Sequence, residues 1–443
     1  AGAGIAATVN NIASSQRIDL EDTHLDGVTL DYAADATANI QTGVSTAITT
    51  DALTVTDAQT VNITTAGGAD SAFDAVTLDA TDTDFLTVTA GVAASGLTAT
   101  GAFAADDVQT VELTTSATNA HISLGAGSTF LTAADKLTSI TATAGGDDSS
   151  DITVTASGAG AAAAALTTVT VTAADGADVT IGAIDAEGAS LTSVSLTAST
   201  TGSVITMSGL GLDGSNITSI AAITGTAVSG ATVDIENIEA TTVGQLTFSG
   251  AGTFRADGTD MDITTLEMIN AQNATGSVTI VMEALGSATI VNLGSGTNSY
   301  LASTFADTIN LASGAGTDTI IQNPSSSQNV ITVNNFTSGT DQIRLDDSEL
   351  STAGALIAGA TLDLVDGNSA SQGTAGNMNL KELTADTTLA AGDDVVILVG
   401  ATFADTDAVE TAMETGAYEI TMATASAQND ALFVVYSDGT DAY

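Results

Sequence analysis

The chain has 443 residues, 44% of them hydrophobic but only 3% aromatic, with no Trp and no Cys. Fifty-three acidic residues against five basic ones give a formal net charge of -48, which excludes nucleic acid and anionic membrane surfaces as partners because nothing can neutralise phosphate. Without Cys, disulfides and thiolate metal sites are excluded, and apolar content drawn mainly from Ala and Val predicts a narrow core.

Residues Ala1 to Asn10 carry neither a basic segment nor a long apolar one, so no signal peptide is visible, and no apolar run of about 18 residues predicts a membrane span. A repeated phrase follows, in which apolar residues alternate with Thr or Ser. Its clearest copies begin at Leu137, Leu166, Leu191 and Ile217, with weaker ones at Leu25, Ala58, Thr83, Val108, Val243, Ile263 and Leu285. Successive copies lie 20 to 33 residues apart, a solenoid-sized period. The period-two alternation turns apolar side chains to one face and hydroxyls to the other, so each copy predicts a half-buried strand. Second strands are predicted between copies, at 151–155, 177–181, 203–207 and 231–235. Gly and Asp crowd the connectors, and the single Pro, Pro324, leaves nearly every backbone donor free to join a ladder.

These features predict an all-β chain, a repeat β-solenoid of the parallel β-helix kind, with a string of small antiparallel sandwiches as the rival. Residues 1–290 form the Thr/Ala-rich solenoid in this reading, 291–347 a calcium-binding segment and 348–443 a β-rich closing domain. Helical spacing with a terminal Gly predicts one short helix from Asp405 to Gly416. The low-complexity run Ala159 to Ala165 reads as a loop or a brief helical turn.

Forty-one of the acidic residues are Asp and twelve are Glu, which places the charge in turns and loops. So large an excess of one sign repels itself unless cations bind, and oxygen ligands in loops suit calcium; a halophile's solvating surface is the bland alternative. Gly294, Gly296 and Asn298 form one Gly-x-Gly-x-Asn turn, and Gly314, Gly316 and Asp318 a second. Asp307 lies nine residues beyond Asn298, and Asp341 and Asp346 follow the second turn. Such turns let backbone carbonyls face inward beside a carboxylate, so these nine residues are the candidate Ca2+ ligands. Further acidic clusters, each read as a calcium site or an ordinary turn, are Asp79/Asp82/Asp84, Asp147/Asp148/Asp151 and Asp257/Asp260/Asp262.

The turns at 294–298 and 313–318, continued by Val330 to Phe336 and Gly339 to Asp346, resemble the Gly/Asp nonapeptide repeat of RTX proteins, calcium-binding chains exported by type I secretion. Asp430 to Gly439 is similar to the late strands that precede that family's uncleaved export signal, and together these stretches cover about the last third of the chain and imply a C-terminal RTX-like β-roll. Two departures stand out: Ser313 occupies the first Gly position, and consecutive perfect copies are missing. With the Ala/Thr-rich repeats upstream, the layout is similar to alphaproteobacterial surface-layer proteins. That resemblance implies an extracellular, cell-surface lattice of identical calcium-stabilised subunits, with lipopolysaccharide or another surface polysaccharide bound through a part not recognisable here.

Catalysis is not expected. His24 and His121 are the only histidines and read as surface or strand residues, and no aromatic platform accompanies the Asp pairs for sugar stacking. The expected function is therefore a structural subunit of a self-assembling coat or filament. The alternative is a secreted calcium-binding adhesin or biofilm matrix protein.

Overall fold

A computed structural model describes residues 6–21, 27–43, 48–65, 67–78, 83–129, 135–156, 163–211, 217–257, 260–281, 285–313, 316–322, 331–337, 340–345, 380–383, 385–389, 395–398, 401–404, 406–416, 418, 420–422 and 433–436. The chain divides into two compact units, Ala1–Gly286 and Ser287–Tyr443. Among the described residues the ladders between strands run parallel, which rules out the antiparallel sandwiches and makes the fold a parallel β-solenoid.

In the first unit the phrase copies form one sheet and the intervening segments another, and the register puts Ile220 and Leu266, three residues after the expected starts Ile217 and Ile263, in line with Leu191 and Val243. Ser139–Ala144 pairs in register with Thr168–Ala173, which pairs with Ser193–Ala198. Ile152–Ala156, Asp178–Ile181, Val204–Met207 and Thr232–Ile235 stack likewise at the expected positions. Pairing each strand with its counterpart one turn away turns a sequence column into a physical one. Val111, Ile140, Val169, Val194, Ile223 and Leu246 stack directly and are essentially solvent-free. Each such side chain contributes roughly 1.5–3 kcal/mol by burial.

The Ala content has its own column. Ala144, Ala173, Ala198 and Ala227 follow one another at the strand ends, all fully buried where the chain turns a corner. At the next corner Ser95, Ala120, Ser150, Ala177, Ser203 and Ala231 are buried in turn. The Ser150 hydroxyl there donates to the Ala117 carbonyl of the preceding turn at 2.7 Å. Long strands such as Gly27–Thr42 and Ile48–Thr65 run through a corner without leaving the ladder, each bending at an Asp in the left-handed region, Asp35 and Asp57.

Volumes are exchanged between neighbouring turns. Gly225 stands directly beneath Phe248, and a Cβ there would meet the Phe248 ring at 2.9 Å and the Phe254 ring at 3.3 Å. The two rings pack at 5.4 Å between centroids. Gly225→Val is expected to destabilise the first unit by about 1–3 kcal/mol through overpacking. Urea denaturation followed by circular dichroism reads the change, and an unchanged midpoint would show that the Phe248 ring can move aside.

In the second unit two ladders alternate again. Ile290–Asn292, Thr308–Asn310 and Thr332–Asn334 form one, and Asn298–Ala302, Asp318–Gln322 and Gln342–Leu345 the other. Asn292, Asn310 and Asn334 make a side-chain amide ladder at 2.8 and 2.7 Å. Further on, Leu380–Leu383, Val395–Leu398 and Phe433–Val435 pair in parallel, as do Thr387–Leu389 and Ile420–Met422. The expected helix is present as Thr406–Thr415. Its Val409 packs with Val396, Leu398, Phe403 and Tyr418 in a small buried cluster. The copy start at Leu25, residues 159–162 of the low-complexity run, and Asp405 lie outside the described residues.

Candidate functional site

The turn from Gly294 to Asn298 is closed by one side chain. Asn298, 1% exposed, shares the two hydrogens of its amide nitrogen among three oxygens: the Gly294 carbonyl at 2.9 Å, the Gly296 carbonyl at 3.3 Å and Asp318 Oδ1 at 2.7 Å. A ring of two carbonyls and a carboxylate around a single electropositive atom is an arrangement that a hard cation also satisfies. The Asn298 carbonyl oxygen is buried without a hydrogen-bond partner, leaving an unused ligand atom on the same side chain.

Parallel register builds the rest of the site. Asn298 lies opposite Asp318, and Asp341 takes the equivalent place one turn further on, where its Oδ1 accepts from the Asp318 amide at 3.1 Å and its Oδ2 from the Thr337 amide at 2.7 Å. Burial, and then the neighbouring Asp341 charge, push the Asp318 carboxyl above the usual range against the opposing hydrogen bond from Asn298. Gly316, at φ 136°, is held to glycine, because a Cβ would stand 2.0 Å from the Gly296 carbonyl oxygen. The ladder thus brings together Gly294, Gly296, Asn298, Gly316, Asp318 and Asp341. Gly314 and Asp346 lie outside the described residues.

Asp307 is placed elsewhere, at the start of the other ladder, although it follows Asn298 by nine residues. Its fully buried carboxylate is surrounded by protein donors. Oδ1 accepts from the Thr289 amide and the Ser303 hydroxyl at 3.0 Å, and Oδ2 from the Ser303 amide and the Tyr300 hydroxyl at 2.9 Å. Burial, the adjacent Asp307 charge and this hydrogen bond together push the Tyr300 phenol well above its ordinary value. Tyr300, Ser303 and Thr289 were not singled out in the sequence. The one signal for them was a Tyr within a Gly/Asn/Ser-rich stretch of a chain with five Tyr.

The upstream acidic clusters resolve into several arrangements. Asp84 clamps the Gln side chains one turn away on either side, accepting from Gln59 at 3.1 Å and from Gln109. Asp151 accepts from the Asp178 amide at 2.9 Å, and Asp178 in turn from the Val204 amide at 3.0 Å, so carboxylates cap the strand one turn on. Asp147 is half-buried, and the Ser150 hydroxyl and Asn119 amide hold its carboxyl below the usual range. Asp257 pairs with Arg255 at 2.8 Å and Asp262 is exposed. Asp79, Asp82 and the Asp260 side chain lie outside the described residues, as does His24. The His121 ring lies over Gly96, with Nε2 3.4 Å from the Thr98 hydroxyl. Among the described residues no group of three or more His, Asp or Glu side chains stands in metal-binding proximity, so any cation held by Asn298, Asp318 and Asp341 depends on backbone and amide oxygens as well.

Burial raises the Asp178, Asp234 and Asp318 carboxyls, with neighbouring acids adding to it in each case. A raised folded value means that the native state holds the proton more tightly than the unfolded chain. Their contribution to stability is therefore greatest below the ordinary carboxylate value of about 3.9 and is lost as pH climbs through the raised folded values. The lowered carboxyl of Asp147 opposes this. Chelator-treated protein is accordingly expected to melt at a higher temperature near pH 5 than at pH 7.5. A lower melting temperature at the acid end would contradict the assignment.

The fold and site define a class: a parallel β-solenoid of Thr/Ala-rich turns with acidic side chains stacked from one turn to the next. Comparison of this chain with protein-family models, curated proteins and solved structures finds no match.

Proposed function

We propose that this chain is a non-catalytic structural subunit of a self-assembling extracellular coat at the cell surface, with calcium as the ion that consolidates it. One observation carries the reading: carboxylates occupy equivalent places on consecutive turns, Asp151 with Asp178 and Asp318 with Asp341, in a chain of net charge -48. Parallel turns lie about 4.8 Å apart, so stacked carboxylates repel unless a proton or a cation is shared between them. Calcium is scarce in the cytosol and plentiful outside, and its binding to the folded form alone couples folding to export. The partner in the assembly is another copy of the chain, and a one-dimensional repeat supplies long faces for that contact.

Sedimentation tests the reading. Protein assembled in millimolar calcium is expected to return to single subunits when excess chelator is added. Assemblies that persist under chelator would overturn the calcium requirement. A chain that stays monomeric in calcium would instead favour a secreted adhesin.

A further inference from the structure

The outer face of the first unit's phrase-bearing sheet differs from that of the unit's other sheet. Thr114, Thr143, Thr172, Thr197, Thr226 and Ser249 stack turn upon turn with no register shift. Two residues earlier in each strand, Thr141, Thr170, Ser195, Thr224 and Thr247 form a second hydroxyl column beside the first. Glu112 is the one charged side chain at these positions in the eight paired rows between Thr60 and Ser249. The other sheet's outward positions, by contrast, carry Asp178, Asp234 and Arg255.

We propose that this hydroxyl face is the self-association surface of the subunit, docking against the same face of a second copy. The proposal deepens the coat reading and rests on it. Three features select that occupant. A chain of net charge -48 can approach its own copy closely only where the charge is absent. A Thr hydroxyl both donates and accepts, so the face is complementary to itself, as a two-fold interface requires. The rows repeat at about 4.8 Å and the columns at about 6.8 Å, and a second solenoid carries the same period by construction, so a match made at one row is repeated at every other. Eight rows cover roughly 20 by 38 Å, about 750 Å² per partner, close to the ~800 Å² of a standard interface. Stacking of sugars is disfavoured, since Phe85, at its edge, is the one exposed aromatic ring on the face.

The test compares two double variants with equal added charge, using Lys because calcium would bridge added carboxylates. T143K/T197K places two charges on the face, two turns apart. S123K/T180K places two on outer hydroxyl positions of the other sheet, whose rows are also in register. With native circular dichroism confirmed for both, T143K/T197K is expected to raise the critical concentration for assembly in millimolar calcium by about tenfold or more, while S123K/T180K assembles as the wild type does. Because the chain lacks Cys, T172C gives an independent readout: oxidation of the assembled protein is expected to yield a covalent dimer, and T180C is expected to yield none. If the wild type assembles and neither Lys variant is impaired, or if T180C cross-links and T172C does not, this face is not the interface and the coat reading stands. A wild type that never assembles overturns both.

Discussion

Asp307→Ala is expected to cost the second unit about 3–6 kcal/mol, the largest single-residue effect in the region. Removing the carboxylate strands two backbone amides, Thr289 and Ser303, and the buried Tyr300 hydroxyl, each an unsatisfied donor costing about 1–3 kcal/mol. Asp307→Asn is expected to lose about half as much. Its remaining carbonyl oxygen serves one side, and the Tyr300 and Ser303 hydroxyls can turn to accept from the new amide, which a backbone N–H cannot do. Calcium restores neither variant, since the groups left unpaired are donors. Urea unfolding with and without calcium checks both points, and a native midpoint for Asp307→Ala would show that its four hydrogen bonds carry little net energy.

Asn298→Asp is expected to behave in the opposite way toward calcium. Without the ion it replaces the amide nitrogen, 2.7 Å from Asp318 Oδ1, with a second carboxylate oxygen, and it leaves the Gly294 and Gly296 carbonyls without their donor. One of the two acids must then hold a proton, and the calcium-free unit is expected to lose about 3–5 kcal/mol at neutral pH. With the ion, the same substitution supplies an extra charged ligand in a turn already ringed by oxygens, so calcium binds more tightly than to the wild type. At a calcium concentration 100 times the Kd the ion returns about 2.7 kcal/mol. Thermal melts at several calcium concentrations separate the cases. A loss that calcium does not reduce would remove this turn from the candidate cation sites.

The contrast between these two positions marks the limit of what the linear sequence discloses. Alternation of Thr with Val, Ile and Leu at Leu137, Leu166 and Leu191 announces strands, their spacing announces turns, and the second strands at 151–155 and 177–181 are legible for the same reason. The stacking of Asn298, Asp318 and Asp341 is partly legible, because Gly-x-Gly-x-Asn/Asp recurs and recurrence in a solenoid means superposition. Nothing in a nine-residue spacing, however, distinguishes a carboxylate aimed at an ion from one aimed at a tyrosine. Asp307 is held by Tyr300 and Ser303, and that depends on which way the chain turns after Ala302. The accommodation of Phe248 by Gly225 is hidden for a related reason: the two are 23 residues apart and meet only once the register is known. The hydroxyl face is legible as a pattern, but its near absence of charge acquires meaning only when the rows are aligned.

A repeat solenoid built this way distributes its stability over many similar interfaces between turns. In the proposed coat, folding, charge neutralisation and association are steps of one process, and calcium is the variable that joins them. The measurement that tests this most directly is electron microscopy of the purified chain with and without millimolar calcium, with circular dichroism on the same samples. Ordered arrays together with a gain of β signal, both only in calcium, are the predicted result. Dispersed particles with the same β content in either condition would contradict it.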